Sequence, residues 1–537
     1  MPLTKKVLIY TVTLIILISS LSGCVLDELL GNSSFTLNSW NICDDEGFAG
    51  LSFNFTCSGT VNVKLLGPSS LLLDSDFFFK GNYDTIFNLA EFRHTVTPGK
   101  YSLKAYNNDN KEIFSQVFSL EGADLTILSC DQKWWKRDPW IGGYSLIGLE
   151  MYVQNNGDTP AYPYKVIASM DSIENSSLAL PCVILPGDSG YVDCFIYRNT
   201  ALDDNTFIVS LEDTDQNTLV TDSFSVIVED NVPIKQYSWQ YGGNRRPNIP
   251  KPEYLYNYYT KLDRIGSQDY GLYVFDPFDD QYIDIVVDSI MFGFSSGSDV
   301  DKINYVASFV QNLEYKSDSE TNSSYEYPRY PVETMFNGEG GGGDCEDKAI
   351  LTASLLQNLG YDIALLRLPE HMAVGVHLSE DAIPNYDYYT DSYYFLETTT
   401  AGKSCGFVPF EYEDIRSEVT VYPITIRPLL IHKWEDNSLT IFANTDMGDL
   451  VKVSVIVQNL GIESAENIKV VGGFYRISGL KEVSKNYMID SLDPGMKKEI
   501  IISLDIPKSA ETWFKTKIYL DNEVVDEKES ISSFPTT

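Results

Sequence analysis

Gly340-Gly-Gly-Gly-Asp-Cys-Glu-Asp-Lys-Ala-Ile-Leu-Thr-Ala-Ser-Leu-Leu-Gln-Asn-Leu-Gly360 is the stretch on which the reading of this chain turns. Four glycines give way abruptly to a helix-forming run. Ala349, Leu351/Thr352, Leu355/Leu356 and Leu359 recur at helical spacing, and Gly360 stands where a C′ glycine ends a helix. Asp344 takes the N-cap position with Asp347 three residues on, the pattern of a weak capping box. Cys345 therefore falls on the first turn, where free N–H groups and the positive dipole end favour a thiolate. Asp344, Glu346 and Asp347 work against that ionisation, so a thiolate here needs a cationic partner, which means a histidine.

The chain has four histidines: His94, His371, His377 and His432. Two lie shortly after the cysteine helix, in Glu370-His-Met-Ala-Val-Gly-Val-His-Leu378. Alternation predicts a strand, with Met372, Val374, Val376 and Leu378 on one face and His371, Ala373, Gly375 and His377 on the other. His377 would lie about 20 Å from His371 along it. A further strand-like run, Tyr393-Tyr-Phe-Leu-Glu-Thr-Thr-Thr400, places Glu397 where it can orient an imidazole. The plainer alternative makes Cys345 a buried structural thiol or a disulfide partner of Cys405.

Gly343-Asp344-Cys345, His371-Met-Ala-Val and Leu396-Glu397-Thr398, in that order, resemble the transglutaminase-like, papain-like cysteine enzymes. Asn312-Leu-Glu-Tyr315 and Tyr330-Pro331-Val-Glu-Thr334 also look like family sequence. The likeness covers about residues 275–425, and Gly-Asp-Cys-Glu-Asp is especially similar to secreted bacterial transglutaminase-like cysteine proteinases. The resemblance implies an α+β papain/transglutaminase-like core and a catalytic Cys345, His371 and Glu397. Cys345 thiolate would attack an amide carbonyl, its backbone N–H would help bind the oxyanion, and His371 would protonate the leaving amine. Water or an amine would then take the thioester, so hydrolysis and transfer both stay open. The family more often has Asp at the third position; Glu397 must be set back by about one bond length. No cofactor is required; calcium held by Asp344 and Glu346 is compatible, and capping and solvation explain those residues as well.

Around this core the periodicity changes. Residues 25–121 and 122–232 read as short strands separated by turn residues, the pattern of β-sandwiches, the second of them Ig-like. Residues 431–537 repeat the second pattern. The run LEMYVQNNGDTPAYPYKV from Leu149 aligns without a gap to VSVIVQNLGIESAENIKV from Val453, and Leu185-Pro186-Gly187 matches Asp493-Pro494-Gly495 as a following turn. The pair looks like an internal repeat of one module, similar to cell-surface adhesion-type domains of bacteria and archaea; its Asn-x-Gly is read as a turn. Residues 233–430 form the remaining unit, entered through a Pro/Gly/basic linker at 242–252. Within it Val300, Ile303, Val306, Phe309, Val310 and Leu313 predict a helix capped by Ser298 or Asp299. The expected class is thus an α+β core flanked by all-β sandwiches.

Lys+Arg number 39 and Asp+Glu 76 in 537 residues, a formal net charge of −37. That balance excludes nucleic acid, whose phosphates need clustered Lys and Arg. With 43% hydrophobic and 13% aromatic residues the chain is not largely disordered. Lys5 and Lys6, the apolar run Val7–Ser19 and then Leu21-Ser22-Gly23-Cys24 have the layout of a secretory signal. The last four residues resemble the lipobox of prokaryotic lipoproteins, which implies residues 1–24 as signal peptide, lipid on Cys24 and an exported protein anchored at the outer face of the cell membrane. Asn32, Asn54, Asn175 and Asn322 each begin an N-x-[ST] glycosylation triplet. Export permits disulfides, and Cys43/Cys57 and Cys182/Cys194 are the expected local pairs. The expected partner is an extracellular protein or peptide. Three functions follow: a surface cysteine hydrolase acting on peptide or amide bonds, a non-catalytic peptide-binding scaffold, or a protein-crosslinking transglutaminase.

Overall fold

The computed structural model describes residues 33–136, 143–170, 173–200, 206–264, 269–321, 326–379, 382–383, 386–390, 392–425, 427–434, 440–445, 448–508 and 511–534. The signal segment, Cys24, Asn32 and Asn322 lie outside them. Among the described residues no helix is long and apolar enough to cross a membrane.

The expected class, an α+β papain/transglutaminase-like core flanked by all-β sandwiches, is corrected by the structure. The chain is mostly β, 48% strand and 15% helix, spread over many small sheets: an all-β multidomain protein. Helical periodicity in one window speaks for that window alone. Alternation and turn chemistry govern nearly everything else.

Four groups of residues build the framework. Residues 35–120 form a three-stranded and a four-stranded sheet around a phenylalanine-rich core that includes Phe53, Phe55, Phe78 and Phe87. The next sandwich contains β1 (Leu125–Lys136), β2 (Tyr144–Asn155) and β3 (Ser189–Cys194), with β2 paired to both others. Its second sheet runs in the order Ile173–Leu178, Lys165–Met170, Thr206–Glu212, Thr218–Ser225.

The central region carries α1 (Asp280–Met291), α2 (Asp299–Gln311) and α3 (Cys345–Asn358). Helices α1 and α2 pack against α3, which packs on an antiparallel sheet made of β4 (Ile363–Leu368), β5 (His371–His377), β6 (Tyr393–Leu396) and β7 (Thr420–Pro423), in the order β6-β5-β4-β7. Helix α2 starts at a full capping box between Ser298 and Asp301.

The last sandwich has β8 (Leu430–Lys433), β9 (Gly448–Asn459) and β10 (Lys497–Asp505), with β9 paired to both others. Its second sheet, Lys481–Leu492, Ala465–Tyr475, Trp513–Leu520, Glu523–Glu529, has the same serial order as in the earlier sandwich. The first and last sandwiches meet through Lys452–Asp76, Lys433–Glu46 and Lys498–Glu91 ion pairs.

The two repeated sandwiches share one device at atomic detail. Asn155 is fully buried; its Nδ2 donates to the Thr159 and Ile184 carbonyls at 2.8 and 2.9 Å, and its Oδ1 accepts from the Asp124 and Gly157 N–H groups. Asn459 is equally buried and repeats this with Glu463 and Leu492 carbonyls at 2.8 and 2.9 Å and the Leu429 and Gly461 N–H groups. The Asn-x-Gly is therefore a buried clamp more than a turn. Its glycine is required because a Cβ at Gly157 or Gly461 would strike the backbone of residues 122–124 or 427–429. Replacing either asparagine by alanine removes four hydrogen bonds to backbone groups, two donated and two accepted. The expected loss is on the order of 3 kcal/mol, read as faster hydrogen exchange confined to the strands of that sandwich; unchanged protection would contradict the clamp.

The expected disulfides are absent: Cys43, Cys57, Cys130, Cys182, Cys194, Cys345 and Cys405 are all free thiols. In the hairpin of Phe35–Asp45 with Phe48–Cys57, Cys43 faces Gly50 while Cys57 faces Phe35, so the two sulfurs sit at opposite ends of the ladder. Of the described glycosylation triplets, Asn54 bonds Asn38, and the Asn175 amide is directed at the Tyr197 carbonyl.

Candidate functional site

The glycine run is shaped by a neighbour. Glu314-Tyr315 pairs in parallel with Gly342-Gly343, and a Cβ on Gly342, at φ +112°, would collide with the Glu314 carbonyl. Only glycine passes there. The chain then enters α3 at Cys345, with Asp344 as an extended N-cap that makes no side-chain capping bond. At the other end Gly360 (φ +85°) and Tyr361 donate their N–H groups to Gln357 and Leu356 at 2.8 and 3.1 Å, closing a Schellman motif.

The capping box expected between Asp344 and Asp347 does not form. Asp347 is fully buried, and its carboxylate takes the Arg329 backbone N–H at 2.7 Å and the Arg329 guanidinium. The same guanidinium reaches Asp318 at 2.8 Å. A buried cation outcompetes a helix cap for a carboxylate. Asp318, Asp344 and Asp347 bring oxygens within 4.8 Å of one another. Calcium needs six to eight oxygens, and Arg329 already spans two of these three side chains, so the cluster does not fit the ion.

Cys345 lies against the start of β5, where the Met372 backbone forms a hydrogen bond that favours the sulfur's ionised form. Its Sγ bonds Glu346 Oε2 at 3.3 Å. Burial, and then the Glu346 carboxylate, push the thiol well above its ordinary value. Burial also raises Asp344 to about 9 and Glu346 to about 7, the two carboxyls being hydrogen-bonded to each other. Replacing Glu346 by glutamine removes a negative charge from the sulfur. Alkylation of Cys345 slightly above neutral pH is expected to rise about 3- to 10-fold. An unchanged or slower rate would contradict this reading of the thiol.

His371, the first residue of β5, presents Nε2 to Glu397 Oε2 at 3.2 Å. The two side chains are 9% and 2% exposed, so the bond is shielded from water. Glu397 follows β6 directly. Its other oxygen accepts from the Thr399 N–H at 2.7 Å, the Thr399 hydroxyl and the Thr400 N–H. Burial alone would raise this carboxyl; the bonds from His371 and Thr399 outweigh it and hold it at about 2. The extra methylene of glutamate relative to aspartate is thus taken up by a turn that grips the distal oxygen. The Glu397 carbonyl is fixed in turn by Gln311 Nε2 at 2.8 Å. One helical turn below Cys345, the fully buried Lys348 donates to the Leu313 carbonyl at 2.9 Å, and burial lowers it to about 8 against the pull of Glu397.

The sequence missed several residues here. Tyr412, in a short turn at Phe410–Tyr412, lays its ring parallel to that of His371, with centroids 4.9 Å apart and 1° between planes. Arg329, Thr399 and Lys348 were missed too; only Arg329 had a signal, beside the family-like Tyr330-Pro331. Cys405 does not bridge to Cys345. His377 points to the Ser392 carbonyl and takes no part. His432 forms a separate array, Nδ1 to Asp526 at 2.8 Å and Nε2 to Thr516 Oγ1 at 2.6 Å, but Thr516 is fully buried inside the last sandwich and no substrate reaches it.

No family model matches the chain, and no curated protein sequence matches it. Among solved structures it is similar to red sea bream transglutaminase, at 10% identity and a TM-score of 0.18, over 72% of this chain and 80% of that one. It is also similar to Amycolatopsis orientalis exo-chitosanase CsxA, at 8% identity and a TM-score of 0.16, over 90% of this chain and 76% of that one. A third likeness, to the YadV chaperone, has 7% identity and a TM-score of 0.13, over 36% of this chain and all of that one, 100%. Overlaps this loose carry no argument about chemistry, and the site rests on its own atoms.

Proposed function

We propose that the chain is a transglutaminase-like cysteine hydrolase that cleaves a peptide or amide bond through Cys345, His371 and Glu397. It would act outside the cell, held at the membrane by lipid on Cys24. The observation that carries this reading is the buried His371–Glu397 bond of 3.2 Å at the head of β5, the strand whose next residue, Met372, bonds through its backbone to a cysteine at a helix N-terminus. With Nε2 committed to Glu397, Nδ1 is the nitrogen left to take the Cys345 proton. The thiolate sulfur then bonds the carbonyl carbon while the first N–H groups of α3 face the developing oxyanion. The C–N bond breaks as the amine leaves with the proton from His371, leaving a thioester. His371 next takes a proton from water, whose oxygen displaces the sulfur and releases the acid. An amine in place of water would give transfer.

A second reading has a specific observation behind it. Cys345 Sγ rests on Glu346 and its thiol is pushed up, which suits a peptide-binding scaffold without catalysis. One experiment separates the readings: the full chain is treated with a peptide-like thiol-directed electrophile, with and without a primary amine, alongside Cys345→Ala and Glu397→Gln. Hydrolysis predicts fast labelling of Cys345 near neutral pH, lost in Cys345→Ala and reduced in Glu397→Gln, with acid as the product formed on amide substrates. Labelling no faster than that of a free thiol favours the scaffold. Amide products formed only with added amine favour crosslinking.

A further inference from the structure

We propose that Tyr412 is a positioning residue for His371, holding the imidazole in the plane that joins Glu397 to Cys345 and favouring its protonated form. This rests on the Cys–His reading above and adds a residue that the reading does not contain.

The geometry is specific. The two rings are parallel to within 1° at 4.9 Å, an offset stack covering one face of the imidazole. The Nε2 bond to Glu397 fixes one edge of that ring, and a flat wall against its face removes the remaining rotation. The wall is itself braced. Tyr389 Oη donates to the Tyr412 carbonyl at 2.7 Å, and the Tyr412 ring leans on Phe395 at 6.2 Å. Phe395 is fully buried on β6, two residues before Glu397, so Tyr412 and Glu397 are set by the same strand. Burial raises the Tyr412 hydroxyl, and the charges of Glu397, Glu411 and Cys345 add to that, so the phenol stays neutral beside the imidazole.

The chemistry follows from the ring quadrupole. The negative face of a phenol ring attracts an imidazolium more than a neutral imidazole. When Cys345 gives its proton to His371, the cation forms against that face. Tyr412 therefore shifts the equilibrium from thiol and imidazole toward thiolate and imidazolium without touching substrate. A tyrosine serving only the fold would leave that equilibrium unchanged.

The test needs no substrate. Cys345 alkylation by iodoacetamide is measured in the full chain, by mass spectrometry of the Cys345 peptide, from about pH 5 to about pH 10. Wild type, Tyr412→Phe, Tyr412→Leu and His371→Ala are compared. Wild type is expected to show an acid limb, with appreciable rate near pH 6, that His371→Ala lacks. Tyr412→Phe keeps the limb, because the stack survives. Tyr412→Leu loses it, with a rate about 3- to 30-fold lower near pH 6 and a wild-type rate near pH 10. A limb present in wild type and equal in Tyr412→Leu overturns the role of Tyr412 alone. A limb missing in wild type, or unaffected by His371→Ala, overturns the Cys–His pair and this proposal together. A Tyr412→Leu rate lowered equally at every pH, or a limb lost in Tyr412→Phe, counts against the proposal.

Discussion

Replacing His371 by alanine is expected to slow the reaction of Cys345 with a small electrophile near neutral pH by about 100-fold or more. The magnitude comes from what remains around the sulfur. Burial disfavours the thiolate, Glu346 accepts from the thiol at 3.3 Å, and Asp344 adds to the same effect. Only the Met372 backbone and the helix end oppose them. With His371 present the proton has an acceptor whose charge Glu397 balances from behind, across 3.2 Å. Without it, each unit by which the thiol is raised costs a factor of about ten in thiolate. His371→Gln, which keeps a hydrogen bond but cannot take the proton, should behave like alanine. A rate within about 2-fold of wild type in both variants would show that Cys345 ionises without the histidine.

Arg329→Met is expected to lower stability by about 3–5 kcal/mol, the cost of breaking a buried charge network from one side. Arg329 is 5% exposed and faces Asp347, at 0%, and Asp318, at 10%. Methionine fills the volume and leaves both carboxylates buried with no cation. The Asp347 bond to the residue-329 N–H survives, so the loss belongs to the guanidinium. The pH dependence gives the sign. Burial already raises Asp347 to about 8 against the pull of Arg329, so without the guanidinium it rises further and the folded state holds that proton more firmly. Stability of the variant relative to wild type then rises as pH falls through that value, and the deficit should be largest above about pH 8. Urea unfolding at two pH values checks this, and adding Asp347→Asn should recover part of the loss. A deficit under about 0.5 kcal/mol would mean the cluster is solvated in solution. Because Asp347 is on the first turn of α3, the variant should also disorder the approach of Cys345 to β5.

The site was legible where a local pattern carries its own physics. Apolar spacing and Gly360 marked α3, a glycine run before an N-cap marked its start, and alternation marked β5 with His371 at its head. Glu397 was singled out as an acid among aromatic residues that could orient an imidazole, and as the acid of the family-like Leu396-Glu397-Thr398. What was missed comes from residues whose partners are distant in sequence. Nothing in Phe410-Glu-Tyr412 says that the tyrosine meets a histidine 41 positions earlier. Asp347 matched a capping spacing, but Arg329 from another segment took its carboxylate. The Asn-x-Gly triplets looked like turns because turn chemistry and a buried amide clamp use the same residues. The class was misjudged because two well-marked helices weigh heavily in a reading by motif and lightly in a chain that is 48% strand. The paired cysteines failed because sequence proximity in a hairpin does not set register: Cys43 and Cys57 lie at its two ends.

The central claim is that Cys345 and His371 share one proton, with Glu397 balancing the charge. The ultraviolet absorbance of a thiolate tests it directly, as a difference between wild type and Cys345→Ala titrated with pH. The claim predicts a thiolate signal already present near about pH 6, in step with a protonated His371, and absent in the difference between His371→Ala and the double variant until well above about pH 9. A single transition above about pH 9 in the wild type, unmoved by His371→Ala, would contradict it.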